Sequence, residues 1–160
     1  MSKSLKRVIA ALNAAGLPHE VTEMAESTRT AAEAAAAVGC EIDQIAKSIV
    51  FAGAETGALY LFLTAGGNQV DPALASAAAG EPLTRADGNA VRKITGFAIG
   101  GVAPIGHLTA PHAFLDPRLT TFPTVWAAAG TPRHVFAIPP ADLARLAQAT
   151  PTDFTANNQP

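Results

Sequence analysis

The first apolar residues of the chain repeat with the period of a helix. Leu5, Val8, Ile9 and Leu12 have the spacing i, i+3, i+4, i+7, which places their side chains on one helix face. A glycine that can end this helix follows, and then a short β-type segment, His19 to Val21. The pattern therefore predicts an amphipathic helix followed by the start of a strand.

Capping residues mark further helices. Thr30 and Glu33 have the form of a capping box ahead of an alanine-rich run, and Asp71 precedes Pro72, where an N-cap and a first-turn proline are favoured. A short helical segment is expected to turn Ile42 inward. The predicted helices cover residues 30–39, 41–47, 71–80 and 87–94, and a last one opens at Pro139 and Pro140.

Apolar runs of β type occupy residues 48–51, 59–63, 124–128 and 134–138. A short connection rich in glycine joins the first two, which predicts an antiparallel pair. Strands and helices interleave without the regular alternation of a doubly wound sheet. We therefore expect an α/β chain of the α+β type, with a mixed or closed sheet and surrounding helices. A single domain is expected over residues 1–150, with a polar, frayed tail over residues 151–160.

Composition narrows the class of protein. The 160 residues are enough for one core, and 49% hydrophobic against 15% charged residues is typical of a compact chain. A net charge of -2 argues against extended binding to a nucleic-acid duplex, so any nucleic-acid contact is expected to be short and local. The lone Cys40 excludes an internal disulfide, and no signal-peptide or membrane-spanning pattern is visible. We expect a cytoplasmic protein that does not enter a membrane.

Common catalytic signatures are absent from the sequence. It has no phosphate-binding loop ending in Gly-Lys-Ser/Thr, no zinc-binding His-Glu-x-x-His and no Gly-x-Ser-x-Gly elbow. The histidines at positions 19, 107, 112 and 134 are scattered, and a structural role without a metal is the favoured interpretation. Cys40 has no histidine near it in the sequence and is interpreted as a small buried residue rather than a nucleophile.

Two segments could carry chemistry. The loop from Gly100 to His107 contains three glycines and Pro104, so its backbone has a fixed shape and can be approached closely by a ligand. Lys47 lies at the predicted junction of a helix and an apolar strand, where an ammonium is partly desolvated or held for an anion. The alternatives are an ordinary tight loop and a lysine that interacts with a helix dipole.

Together these segments resemble a known family. Thr30-Ala-Ala-Glu-Ala-Ala-Ala-Ala-Val-Gly39, Ile45-Ala-Lys-Ser-Ile-Val-Phe51 and Thr95-Gly-Phe-Ala-Ile-Gly-Gly-Val-Ala-Pro-Ile-Gly-His107 occur in the order and spacing of the YbaK and prolyl-tRNA synthetase editing domains. The segments Val125 to Pro132 and His134 to Ile138 are similar to the closing strands of that family. The resemblance covers about residues 20 to 148.

The resemblance implies a mixed, barrel-like sheet with surrounding helices, and a pocket between Lys47 and the Gly-x-x-x-Pro loop. It implies hydrolysis of mischarged aminoacyl-tRNA without a metal or another cofactor. Lys47 would bind the terminal adenosine phosphate or orient the substrate, and the backbone from Gly100 to Pro104 would hold the ester and the attacking water. In some members the 2′-hydroxyl of the last ribose is thought to assist. An aminoacyl ester is already activated, so positioning and backbone dipoles can suffice for its hydrolysis.

On this basis the expected catalytic residues are Lys47, Gly100 and Gly101. The expected substrate-binding residues are Thr30, Val102, Ala103, Pro104, His107, Trp126 and Ala128. The expected partner is the acceptor end of a mischarged tRNA, and an aminoacyl-tRNA synthetase is a further candidate partner, while the oligomeric state stays open. The basic residues Arg85, Arg92, Lys93 and Arg118 are candidates to guide the acceptor end, with a solvated face as the alternative.

One departure from the family concerns specificity. Members that remove cysteine carry a serine on the strand before the last glycine, where this chain has Ala128. The hypothesis is therefore an apolar pocket for a small aliphatic residue such as alanine or 2-aminobutyrate, carried on tRNA-Pro, with Trp126 and Val102 near its walls. A non-catalytic tRNA-binding or synthetase-associated module, and a hydrolase of another small acyl ester, are the alternatives.

Overall fold

The computed structural model describes residues 2–17, 21–25 and 30–156. Within these ranges the helices are α1 (Lys3–Ala14), α2 (Ala31–Val38), α3 (Pro72–Ala79), α4 (Gly88–Thr95) and α5 (Pro140–Ala147). The strands are β1 (Val21–Glu23), β2 (Ile45–Gly53), β3 (Leu59–Ala65), β4 (Leu83–Arg85), β5 (His112–Leu115), β6 (Val125–Thr131), β7 (His134–Ile138) and β8 (Ala149–Pro151). The predicted strand start at residues 19 and 20, and residues 157–160 of the predicted tail, lie outside the described residues.

The caps expected from the sequence are present. The Thr30 hydroxyl accepts a hydrogen bond from the backbone N–H of Glu33 at 3.1 Å, and Asp71 accepts from two N–H groups of the first turn of α3. Gly39 and Gly80 follow α2 and α3 with φ of 76° and 82°, the left-handed conformation that ends many helices. These helices therefore begin and end where the sequence pattern predicts.

The helix predicted over residues 41–47 is wrong. A single turn of 3₁₀ helix covers Ile42–Gln44, and β2 begins at Ile45. Glu41 and Gln44 do form a capping box, but Ile45 pairs with Trp126 of β6, and this long-range pairing ends the helical turn. Ile42 is 41% exposed rather than turned inward. Lys47 consequently lies within a strand, and the interpretation of a lysine at a helix end is wrong as well.

The eight strands of the described residues form one mixed sheet in the order β1-β7-β6-β2-β3-β5-β8, and β4 pairs with β2. The hairpin β2–β3 is antiparallel as predicted, whereas β2–β6, β3–β5 and β5–β8 are parallel. The α+β class with a mixed sheet and surrounding helices is confirmed. Of the strands, β4, β5 and β8 were not predicted, because each is short and lies among polar residues or prolines.

The main core lies between the sheet and the helices α1, α4 and α5. Leu5, Val8 and Leu12 of α1 are buried in it, as the period of the first segment predicts. The Gly-x-x-x-Pro loop enters the same core, where Val102 and Ala103 are 5% and 0% exposed. The loop is therefore held by apolar packing, in addition to its own glycines and proline.

The chain end is packed rather than frayed as far as residue 156. Strand β8 adds to the sheet edge beside β5, and Phe154 is completely buried against Phe62 and Tyr60. Thr155 pairs with Val70 in an isolated bridge. The expectation of a frayed tail from residue 151 is therefore wrong for residues 151–156, because one aromatic side chain and a short strand anchor them. No helix among the described residues is long and apolar enough to cross a membrane.

Candidate functional site

A cavity of about 280 Å³ lies between the first turn of α2, the start of β2, the Gly-x-x-x-Pro loop and strands β6 and β7. Both candidate segments from the sequence, Lys47 and the loop at Gly100 and Val102, line it. The remaining lining residues are Thr30, Ala31, Ala34, Ile45, Ala46, Ser48, Ile49, Trp126, Ala127, Ala128 and Val135. Segments distant in the sequence therefore meet at one concave site.

Lys47 is held within β2, where it pairs with Thr64 of β3. Its Nζ donates a hydrogen bond of 2.6 Å to the backbone carbonyl of Asn68. Burial lowers the pKa of Lys47, while the charges of Asp116 and Asp43 act in the opposite direction. The ammonium is thus partly dehydrated, and its charge is partly balanced by the two carboxylates. A partly dehydrated ammonium interacts more strongly with an anion than a fully hydrated one does.

The partner of Lys47 is itself fixed by the buried carboxylate of Asp116, which is 2% exposed. One oxygen of Asp116 accepts from the side-chain amide of Asn68 at 2.9 Å and from the N–H of Ala65 at 3.0 Å. A Cβ at Gly66 would collide with the Ile42 carbonyl, so this loop can approach the 3₁₀ turn only with glycine there. Sequence reasoning missed Asp116 and Asn68 as supports of the lysine, because β5, the strand that Asp116 follows, was not predicted.

The Gly-x-x-x-Pro loop, Gly100 to Pro104, lines the cavity at Gly100 and Val102. Gly100 has φ of 93°, which favours glycine, and a Cβ there would meet nothing within 4 Å. Among the described residues, the N–H groups of Gly100 and Val102 have no hydrogen-bond acceptor. Backbone N–H groups without an internal acceptor are the donors that anion-binding loops use, so these two are candidates to bind a ligand.

Four of the expected site residues lie behind the cavity wall rather than on it. The N–H of Gly101 donates to Ala98 within the loop at 2.9 Å, so it is not available to a ligand. A Cβ on Gly101 would lie 3.2 Å from the Cα of Thr131, which explains why glycine is needed there. Ala103 and Pro104 are buried, and their packing gives the loop its shape without contact with the cavity.

His107 is the fourth of these residues. Its Nε2 is 2.7 Å from the carbonyl oxygen of Ala103, and its ring meets Phe97 edge to face at 5.5 Å between centroids. Burial lowers the pKa of His107, and the nearby charge of Arg7 acts in the same direction. A neutral His107 therefore ties the end of the loop to its middle and does not reach the cavity.

Most of the cavity lining is apolar, formed by alanine, isoleucine and valine side chains together with Trp126. Ala128 pairs with Val135 across β6 and β7, and Ala34 faces them from α2. Ser48 also lines the cavity, and its buried Oγ has no hydrogen-bond partner among the described residues. Sequence reasoning did not single out Ser48, because a lone serine in an apolar strand carries no pattern. The site thus combines an apolar wall with one unused hydroxyl.

The other candidates from the sequence lie elsewhere. His112 stacks on Tyr60, and His134 bonds to Thr131, so neither shares the contacts of His107. Burial and then the Glu41 carboxylate raise the pKa of Cys40, which keeps its thiol protonated. In the described parts of the chain, no group of three or more His, Cys, Asp and Glu side chains is placed to hold a metal ion.

The four basic residues proposed to guide the tRNA differ in whether they form an ion pair. Arg118 forms an ion pair with Asp43 at 3.0 Å and lies over the ring of Phe122. Arg92 and Lys93 are exposed in the last turn of α4, and Arg85 is exposed on β4. Arg118 is therefore paired with a carboxylate beside the site, whereas the other three residues face solvent.

Comparison with protein families gives one matching model. The model described as an aminoacyl-tRNA editing domain matches residues 25–146. This range includes every residue that lines the cavity. It leaves out α1 and the packed end of the chain.

Similar proteins extend the likeness over nearly the whole chain. The crystal structure of a candidate trans-editing enzyme for prolyl-tRNA synthetase has 47% sequence identity and a TM-score of 0.90, and the match covers 98% of this chain and 99% of that one. The structure of the protein APE2540 has 26% identity and a TM-score of 0.85, over 94% and 99% of the two chains. The Bacillus subtilis protein YwhH, itself uncharacterized, is 32% identical over 128 residues, which is 80% of this chain and 81% of YwhH.

Proposed function

This chain belongs to the aminoacyl-tRNA editing domain family, and from that premise we propose that it is a deacylase that acts on aminoacyl-tRNA in trans. The proposed reaction hydrolyses the ester between a small mischarged amino acid and the last ribose of a tRNA. One observation carries the proposal: Lys47, Gly100 and Val102 line one cavity whose lining is otherwise mostly apolar. A cation and free backbone donors are the groups that a phosphate and a developing oxyanion need.

The proposed chemistry uses positioning and backbone dipoles. Water attacks the carbonyl carbon of the ester, and the N–H groups of Gly100 and Val102 stabilise the oxyanion that forms. The bond between the carbonyl carbon and the ribose oxygen then breaks, and the proton lost by the water goes to that ribose oxygen. The products are a free amino acid and a tRNA with a free terminal hydroxyl. We assign no base among the side chains, and the neighbouring ribose hydroxyl is the proposed proton relay.

Lys47 has the binding role in this proposal. Its ammonium lies on the carbonyl of Asn68 and would contact the phosphate of the terminal adenosine from there. The free hydroxyl of Ser48 is proposed to accept a hydrogen bond from the α-ammonium, which every aminoacyl ester carries. Both contacts orient the ester without recognising the amino-acid side chain.

Selection of the amino acid is assigned to the aliphatic wall. Ala128 offers no hydroxyl to a polar substrate, and Ala34 and Val135 add further apolar surface to the same cavity. We propose alanine or 2-aminobutyrate as the residue removed, with tRNA-Pro as its carrier. An apolar pocket distinguishes substrates that differ by one methylene by about 1–3 kcal/mol in transition-state binding. Hydrolysis at a second site adds its own discrimination to that made by the synthetase.

The approach of the tRNA is proposed to involve Arg85, Arg92 and Lys93, which are exposed. Few phosphate contacts are expected, in agreement with the net charge of -2. A salt titration of tRNA binding measures their number, because the slope of log K against log salt is about -0.9 per phosphate contact on a duplex.

The proposal is tested by the rate at which Ala-, 2-aminobutyryl-, Ser- and Cys-tRNA-Pro lose their amino acid. We expect the alanyl and 2-aminobutyryl esters to be hydrolysed fastest. Ala128→Ser is the matched variant, because it adds one hydroxyl to the wall. It should shift the preference toward Ser and Cys by about tenfold, the effect of one new hydrogen bond of about 1.4 kcal/mol.

Three outcomes would contradict the proposal. A preference of the unchanged protein for Cys-tRNA-Pro would refute the aliphatic pocket, although not the reaction. Binding of tRNA without hydrolysis of any charged tRNA would refute the reaction and favour a non-catalytic module. Hydrolysis of simple acyl esters alone would favour a different hydrolase.

A further inference from the structure

One guanidinium bonds to the chain on both sides of the Gly-x-x-x-Pro loop, at Gly96 before it and at Gly106 after it. Arg7 of α1 donates through Nη2 to the carbonyl of Gly96 at 2.5 Å and through Nε to the carbonyl of Gly106 at 3.3 Å. Gly96 ends α4 ahead of the loop, and Gly106 follows the loop. We propose that Arg7 is a positioning residue for deacylation, and this proposal rests on the proposed function. Helix α1 is thereby part of the catalytic apparatus, although it lies outside the family match.

The contacts of Arg7 extend beyond these two hydrogen bonds. Its Cζ lies 5.0 Å from the centroid of the Phe97 ring, and Phe97 is 1% exposed in the core. Gly96 also ends α4, so the positive charge lies where the helix dipole favours a cation. A planar guanidinium can bond two carbonyls and cover a ring at once, whereas a lysine ammonium is a single point charge.

Helix α1 is fixed closely enough to make this arrangement rigid. A Cβ on Gly106 would lie 3.1 Å from the carbonyl oxygen of Arg7, and a Cβ on Gly130 would lie 2.8 Å from that of Ser4. Glycine at these two positions therefore lets the loop end and β6 approach the backbone of α1 directly. The apolar face of α1 is buried in the main core beside Val102. The chain on both sides of the loop is thus anchored to α1, and α1 is packed against the same core as the loop.

The consequence is specific to the reacting geometry. Between its two held ends the loop carries the N–H groups of Gly100 and Val102 that we assign to the oxyanion. Loss of the Arg7 contacts would let these donors move, and a misplacement of about 1 Å at a reacting centre can lower a rate about 100-fold. The groups assigned to bind the tRNA end, Lys47 above all, lie on β2 and would not move. Arg7 is therefore expected to affect kcat and to leave KM nearly unchanged.

The test compares Arg7→Ala and Arg7→Lys with Lys6→Ala, which removes an exposed charge from the same helix. We expect Arg7→Ala to lower kcat by about tenfold or more, with KM changed by less than about threefold, and Arg7→Lys to restore only part of the rate. Lys6→Ala should behave like the unchanged protein. Thermal melting shows that each variant is folded at the assay temperature.

Amide hydrogen exchange over residues 97–107 provides a readout that does not need activity. These amides should exchange faster in Arg7→Ala than in Lys6→Ala, while exchange in β2 and β3 stays the same. Equal exchange in the two variants, or a lower melting temperature with unchanged kcat, would overturn the proposal and leave Arg7 a purely structural residue. If the unchanged protein hydrolyses no aminoacyl-tRNA, the proposed function fails, and a positioning role in catalysis fails with it, whereas the exchange data still decide whether Arg7 holds the loop.

Discussion

Lys47 combines partial burial with two nearby carboxylates. Desolvation by burial lowers its pKa, and the carboxylates of Asp116 and Asp43 offset this effect. Neither carboxylate bonds directly to the ammonium, since Asp116 is occupied by Asn68 and Asp43 by Arg118. Burial and the two carboxylates thus act on the pKa of Lys47 in opposite directions, and the hydrogen-bond partner of its ammonium is a neutral carbonyl.

Replacing Lys47 by alanine is expected to lower the rate of deacylation by about 100-fold, because the ester loses the contact that orients its phosphate. The fold should remain, since the side chain makes one hydrogen bond and belongs to none of the buried apolar clusters. Steady-state hydrolysis of the best aminoacyl-tRNA and a thermal melt measure the two effects. Lys3→Ala, at an exposed position of α1, is the control for loss of charge. Equal rates for Lys47→Ala and the control would remove Lys47 from the mechanism.

At the residue scale the sequence predicted which groups would meet, but not how each is used. Thr30, Lys47, Gly100, Val102, Trp126 and Ala128 all line the cavity, as their place in the motifs indicates. The use of the Gly101 N–H inside the loop depends on the turn formed at Ala98, which composition does not reveal. The support of Lys47 by Asp116 joins residues far apart in the chain, and only the folded sheet brings them together.

Among the elements, β2 is the one whose start the sequence misplaces. Residues 41–44 carry a true capping box, and local propensity favours continuing the helix from it. The parallel pairing of Ile45 and Ala46 with β6 outweighs this local helical preference, so the chain is extended from Ile45 onward. This change brings Lys47 into the cavity wall, so the error of the sequence-based prediction falls at the functional site, where local and tertiary preferences differ.

The Gly-x-x-x-Pro loop can be tested as an element by comparing two glycines. Gly100 and Gly57 have φ of 93° and 75°, and a Cβ on either would meet nothing within 4 Å. Substitution by alanine should therefore cost each variant a similar backbone strain of about 1–2 kcal/mol. Only Gly100→Ala should also lower kcat, by about tenfold, because Gly57 lies in the β2–β3 turn away from the cavity.

Chemical denaturation and kinetics of the two variants provide the measurements. Similar losses of stability with unequal kcat would support the role of the loop backbone. Equal kcat in Gly100→Ala and Gly57→Ala would show that the conformation at Gly100 does not matter for the reaction.

For the whole molecule, the α+β class and the mixed sheet could be predicted from the interleaved short helices and strands in the sequence. The strands at the edge of the sheet could not. Strand β5 begins at an exposed His112 and β8 ends at Pro151, so neither gives the alternating pattern of a strand. Phe154 lies in an otherwise polar stretch, and its burial against Phe62 and Phe114 depends on β5 having paired first. These contacts make residues 151–156 part of the domain.

Phe154→Ala is accordingly expected to reduce the free energy of unfolding by about 3–5 kcal/mol, as truncation of a buried phenylalanine does. Asp153→Ala, an exposed neighbour, should change it by less than about 0.5 kcal/mol. Urea denaturation of both variants gives the comparison. Equal midpoints would mean that the chain end contributes nothing to stability in solution.

The parallel contact between β2 and β6 has a consequence for biosynthesis. The strand that carries Lys47 leaves the ribosome long before Val125–Thr131, yet the chamber needs both. Non-local pairings of this kind form late in folding, after the intervening chain has been made. A translation product that stops before β6 would therefore carry the lysine and the glycine-proline bend but would lack the residues of β6 and β7 that line the same cavity.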